Sequence, residues 1–141
     1  MTKTRFLLGF LAYVVPTFPL GWFWHMTVFK GYYEGLQVYR DDLIVPLGLA
    51  AMTVQGIIWV YLYWRLFAGD GVLRGAMKFA VIAAPLAWSF MVLAVAAKHQ
   101  MTSPARFVLI ETGFIALQYA VVSPLIALAF ATKTGVARVQ A

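Results

Sequence analysis

FAVIAAPLAWSFMVLAVAA, residues 79–97, decides the fold of this chain. It carries no charge, and its apolar side chains run on without alternating. About 20 helical residues cross the roughly 30 Å of hydrocarbon in a bilayer. Backbone in lipid must pair its own N–H and C=O groups. A continuous apolar run therefore reads as a helix, and an alternating one as a barrel strand.

Working outward, three further runs meet the same test: residues 6–24, 43–64 and 105–131. Composition agrees, with 63% of the 141 residues hydrophobic and 11% charged, where a soluble domain is about a quarter charged. The expected fold is all-α: an integral-membrane bundle of four transmembrane helices in a single domain, 1–141, with a short interfacial helix between the first two spans. Asp41–Asp42 followed by Pro46 predicts the start of the second span, and Ser103–Pro104 that of the fourth. Tyr61, Tyr63 and Trp64 predict an aromatic belt at the end of the second span. The basic start MTKTR lacks a small-residue cleavage site downstream, so the first run reads as a retained span.

The cations set the orientation. Lys3, Arg5, Arg65, Arg74, Lys78, Lys133 and Arg138 fall on one side, against Lys30, Arg40, Lys98 and Arg106 on the other. The positive-inside rule then places both termini in the cytoplasm of a cell whose inner (plasma) membrane holds the protein. Cations that flank apolar runs serve topology, which argues against nucleic acid as a partner. The chain has no cysteine, which excludes disulfides and thiolate chemistry.

All the acids but Asp70, and both histidines, fall on the outer side, most densely in GWFWHMTVFKGYYEGLQVYRDD, residues 21–42. Phe29, Tyr32, Tyr33, Leu36 and Tyr39 share one helical face, with Lys30, Glu34, Gln37 and Asp41 opposite. This predicts an interfacial helix over 27–40 with its aromatic face against the acyl boundary. It either anchors the protein or caps a cavity in which His25, Glu34, Arg40, Asp41 and Asp42 meet Lys98, His99 and Glu111.

Glu111 lies seven residues into the fourth span, about 10 Å along a helix rising 1.5 Å per residue. A carboxylate at that depth must be protonated, paired or wet, and so marks either a structural pair or a functional site. Ile115, Gln118 and Val122 continue its stripe, and Lys98, His99 and Arg106 are its nearest expected partners. Gln55 shares a face with Gly48, Met52 and Trp59, aimed inward. Pro16, Pro19, Pro85 and Pro124 interrupt helical ladders. Small residues at Ala76, Ala80 and Ala84 and at Ala116 and Ala120 suit close helix packing, predicting self-association or a membrane-protein partner.

No cofactor is expected. Haem or a transition metal held between His25 and His99 is the alternative, weakened by the absence of ligand-like spacing. No serine sits in a nucleophile elbow, and no glycine loop suits a phosphate. WFW-H at the end of the first span and F-K-G-Y-Y before the second resemble bacterial inner-membrane proteins grouped as domain of unknown function 1761. The likeness covers the whole chain in layout and rests on about a dozen residues. That family has no established activity, so the resemblance implies no catalytic residues. The functional expectation is a membrane protein that binds or conducts a small ligand at a polar outer mouth. The alternatives are an accessory subunit of a larger membrane complex, or an enzyme using Glu111 or His25 as acid and base.

Overall fold

The computed structural model describes residues 1–131, so Lys133 and Arg138 lie outside the described residues. The elements are α1 (Lys3–Phe23), α2 (Lys30–Leu36), α3 (Val45–Phe67), α4 (Val72–Trp88), α5 (Ala94–Lys98) and α6 (Pro104–Phe130), with no strand among the described residues. α1 runs on through a π-helical turn, Trp24–Val28, and α4 joins α5 through another, Ser89–Leu93. Four helical stretches are thereby long and apolar enough to cross a membrane: Lys3–Val28, Val45–Phe67, Val72–Lys98 and Pro104–Phe130. The protein is a multi-pass, all-α membrane bundle.

The third stretch begins seven residues before the expected position 79. Its first turns carry Arg74 and Lys78, which pattern reading excludes from an apolar core. Lys78 reaches back to Asp70 at 3.0 Å, so its charge in these helical turns is paired. α6 starts as predicted: Pro104 occupies its first turn, and the Ser103 hydroxyl accepts from Arg106 N at 3.4 Å. The predicted Asp41–Asp42 cap does not form. α3 begins at Val45, Ile44 takes the cap position without a side-chain bond, and Asp42 instead holds Arg40 at 3.0 Å.

α6 is the hub and packs along both α1 and α4. Its predicted stripe, Glu111, Ile115, Gln118 and Val122, is buried along its length. α1 and α3 meet only over part of their lengths. A Cβ on Gly56 would lie 3.0 Å from the Tyr13 ring, and one on Gly9 3.1 Å from Val60, so glycine permits the close approach. Toward α2 the helices part: residues 45–51 of α3 are exposed on all sides, and a Cβ on Gly48 would meet nothing within 4 Å.

The small-residue faces need one correction. Ala76 is buried inside the bundle and cannot meet a partner, whereas Ala80 and Ala84 are half-buried and Ala116 and Ala120 are exposed. A stripe of small residues marks close packing, but not whether the neighbour belongs to the same chain.

Candidate functional site

α2 is shorter than the expected 27–40 and faces the other way. Gln37 takes a left-handed φ of 54°, which ends the helix after Leu36. Thr102, in the loop before α6, then satisfies the final carbonyls: its N donates to Leu36 O at 3.0 Å and its hydroxyl to Gly35 O at 2.8 Å. The Tyr32 hydroxyl adds a bond to Arg106 O at 3.2 Å. These three bonds fasten α2 across the start of α6. Tyr33 and Leu36 are buried in protein, 1% and 2% exposed, so the predicted contact of this aromatic face with the acyl boundary is not what forms. Amphipathic spacing identifies a face that needs covering; the covering here is the bundle itself.

Tyr33 thereby reaches Glu111, which is 6% exposed. Its hydroxyl donates to Glu111 Oε1 at 2.8 Å and accepts from Trp24 Nε1 at 3.3 Å. His25 Nε2 lies 3.0 Å from the same Oε1, and His25 Nδ1 lies 2.7 Å from Gly21 O. A carbonyl only accepts, which assigns a proton to Nδ1. The phenolic proton belongs to Tyr33, because burial and the Glu111 carboxylate both push that phenol well above its ordinary range. The contact between Nε2 and Oε1 therefore holds a single proton. Either partner can carry it, as imidazolium with carboxylate or as imidazole with carboxylic acid. Both forms are neutral as a pair, which is how a carboxyl tolerates this depth.

The π-helical turn positions the histidine. Phe29 N bonds Trp24 O at 3.0 Å, five residues back rather than four. Such turns widen a helix by one residue and recur at functional sites. Around the pair the rings are packed: His25 lies 4.5 Å from Phe114 and 4.9 Å from Tyr33 between centroids, and Tyr33 stacks on Tyr39 at 5.2 Å.

Above this floor opens a cavity of about 550 Å³, whose walls include His25, Tyr33, Glu34, Tyr39, Arg40 and Asp41. Of the expected site residues, the structure brings His25, Glu34, Arg40 and Asp41 together on the cavity wall, with Glu111 bonded behind His25 and Tyr33 and not itself part of the lining. Asp42 stays on the rim as the partner of Arg40. His99 does not join them: it ends α5, exposed and outside the cavity wall. Lys98, His99 and Arg106, the nearest expected partners of Glu111, give way to His25 and Tyr33. Both nitrogens of His25 face protein partners, Nδ1 the Gly21 carbonyl and Nε2 the Glu111 carboxyl.

Gln118, 2% exposed, lies deeper. Its Nε2 faces Tyr13 Oη at 3.4 Å and Thr17 Oγ1 at 3.5 Å, and the Tyr13 hydroxyl donates to Gln55. Gln55 thus points inward as expected. Tyr33, Tyr13 and Thr17 are the members that sequence reading missed. A usable signal for two of them was Tyr13, Thr17, Gly21 and His25 at four-residue spacing, one helical stripe leading down from the histidine. Tyr33 carried no such signal, because its partner is far away in sequence and on another helix.

Compared with known proteins, the chain matches no family model, no curated protein and no solved structure.

Proposed function

We propose that the chain is a multi-pass inner-membrane protein that binds or conducts a small ligand at this mouth, with the α2 end outside the cell. The cation distribution supports the orientation. The observation that carries the reading is the His25–Glu111–Tyr33 cluster beneath an open cavity of about 550 Å³. Anchoring alone would not bury a carboxyl and an imidazole that share one proton, since paired ionisable groups within a membrane are costly and mark pathways or sites. Its parts have separate roles. Tyr33 and the Gly21 carbonyl fix the ring and the carboxyl, the His25–Glu111 pair accepts or delivers a proton, and the Glu34, Arg40 and Asp41 wall meets the ligand.

Native mass spectrometry from mild detergent tests this. Wild-type protein should carry a bound small molecule that Glu111→Gln protein loses while remaining folded. Equal loads on both proteins would overturn the reading. Cysteine placed at Lys30 should react with an impermeant thiol reagent on intact cells, and cysteine at Arg74 should not.

A second reading, an accessory subunit, draws on the lipid side of α6. Ala116 and Ala120 are exposed there on the most buried of the four spans. Ala120→Leu should then release a co-purifying partner, or dissociate a homo-oligomer.

A further inference from the structure

We propose that the ligand of the mouth is a membrane-soluble amphiphile. It would have an uncharged head bearing a hydroxyl or carbonyl oxygen and an apolar tail, and would enter sideways between α1 and α3. This rests on the ligand-binding reading of the mouth and specifies its chemistry.

Met26 and Leu43 of the cavity wall also line an adjoining groove of about 220 Å³ whose wall is almost wholly apolar, including Phe18, Trp22, Ile44 and Met52. Through Phe18, Trp22 and Met52 the groove reaches a further space of about 220 Å³ that ends at Thr17, Gln55 and Gln118. One side of this passage is the gap where α3 leaves the bundle. Residues 45–51 of α3 are exposed all round, and Gly48 faces open space on that side. A polar mouth that runs into an apolar groove open to the bilayer matches a molecule with one polar end. A water-soluble ligand would leave the groove unused.

The charges argue for an uncharged head. The wall carries Lys30 and Arg40 against Glu34 and Asp41, two of each sign. Lys30 lies 3.6 Å from Glu34 and Arg40 3.0 Å from Asp42, so neither cation of the wall is free to hold an anionic head. The His25–Glu111 pair behind the wall is neutral in either proton arrangement. Glu111 lies behind Tyr33 and His25, which line the cavity and hold its Oε1.

The test uses full-length protein in nanodiscs and a long-chain alcohol with a photoreactive diazirine in its tail. Cross-links are mapped by peptide mass spectrometry. Labelling should concentrate at Trp22 and Met52 over the exposed lipid-facing residues Val81, Phe90 and Leu109. An excess of unlabelled alcohol should compete at least tenfold better than an alkyl phosphate or alkyltrimethylammonium of equal tail. Gly48→Trp, which fills the groove where nothing opposes it, should abolish the Trp22 and Met52 labelling.

Labelling spread evenly over all exposed apolar residues would show bulk lipid and overturn the proposal, as would better competition by either charged amphiphile. The two readings fail separately. If Glu111→Gln removes a natively bound molecule but Gly48→Trp does not, the mouth binds a ligand that needs no groove, and only the amphiphile is wrong. If Gly48→Trp removes the labelling while Glu111→Gln leaves head-group selectivity unchanged, the groove is real and the floor is not its recognition element, which also overturns the proposal.

Discussion

The two ends of this bundle use aromatic residues for opposite purposes. At the end away from α2, Tyr63 and Phe67 of α3, Phe79 of α4 and Phe130 of α6 pack ring against ring at 5.4–6.4 Å. Gly75 fits beneath Tyr63 so closely that a Cβ there would collide with the phenol oxygen. The ionic contact at this end, Lys78 with Asp70, stays on the surface. At the α2 end, Trp24 packs on Phe114 and Tyr33 on Tyr39, but these rings close around a half-buried imidazole and a buried carboxyl, and α3 stands off from α1. Lipid removes the hydrophobic drive between helices, so packing has to come from close contact and polar pairing. The closed end uses the first and the open end the second. A helix bundle can leave a cavity in its mouth when its far end is tight enough to hold the helices together.

The comparison breaks most visibly at Glu111. Glu111→Ala removes the carboxyl that pairs with His25 Nε2 and accepts from the Tyr33 hydroxyl, a loss of about 3–5 kcal/mol by the behaviour of broken buried pairs. Thermal denaturation in detergent should register it. Glu111→Gln keeps the size and one acceptor, and should cost clearly less. A fall equal to that of Ala would mean that the charge, not the hydrogen-bonding shape, holds the α2 end together.

Paired glycine substitutions sharpen the contrast. Gly75→Leu drives a side chain into Tyr63 at the closed end and should destabilise by roughly 1–3 kcal/mol, as overpacking does. Gly48→Leu, at the open end, meets no neighbour within 4 Å and should stay within about 0.5 kcal/mol of the parent. Similar melting temperatures for the two variants would erase the distinction between the ends.

Tyr33→Phe removes one hydroxyl that donates to Glu111 and accepts from Trp24, and should cost about 1 kcal/mol. A change that small is best followed by amide exchange in α2. Exchange should quicken there and not in α4, because α2 is held by few bonds and its opening is local.

The smallest effect is one of pH. The folded protein holds the Tyr33 proton more tightly than the unfolded chain, whose phenol titrates near 10.0. Stability from this group is therefore complete below that pH and declines as pH rises above it. Denaturation curves between pH 9 and 11 should fall more steeply for wild type than for Tyr33→Phe, and parallel curves would place the phenol outside the buried cluster.

The four spans, the Ser103–Pro104 start of α6 and the buried stripe of α6 that holds Glu111 were all legible in the sequence. They follow from local properties: run length, capping chemistry and a 3.6-residue repeat act within a single helix, and the bilayer sets the length that helix needs. Residues 79–97 would form a spanning helix beside almost any neighbours. The choice of partners was not legible. Tyr33 and Glu111 are 78 positions apart, and His25 and Glu111 are 86 apart. Their meeting depends on how α2 folds back under the bonds from Thr102, and on a π-helical turn that no residue pattern announces. The same holds for the gap between α1 and α3, which opens because their glycine contacts lie toward one end only. Periodicity marks the face of a helix that must be covered, and the tertiary structure alone decides whether protein, lipid or a ligand covers it.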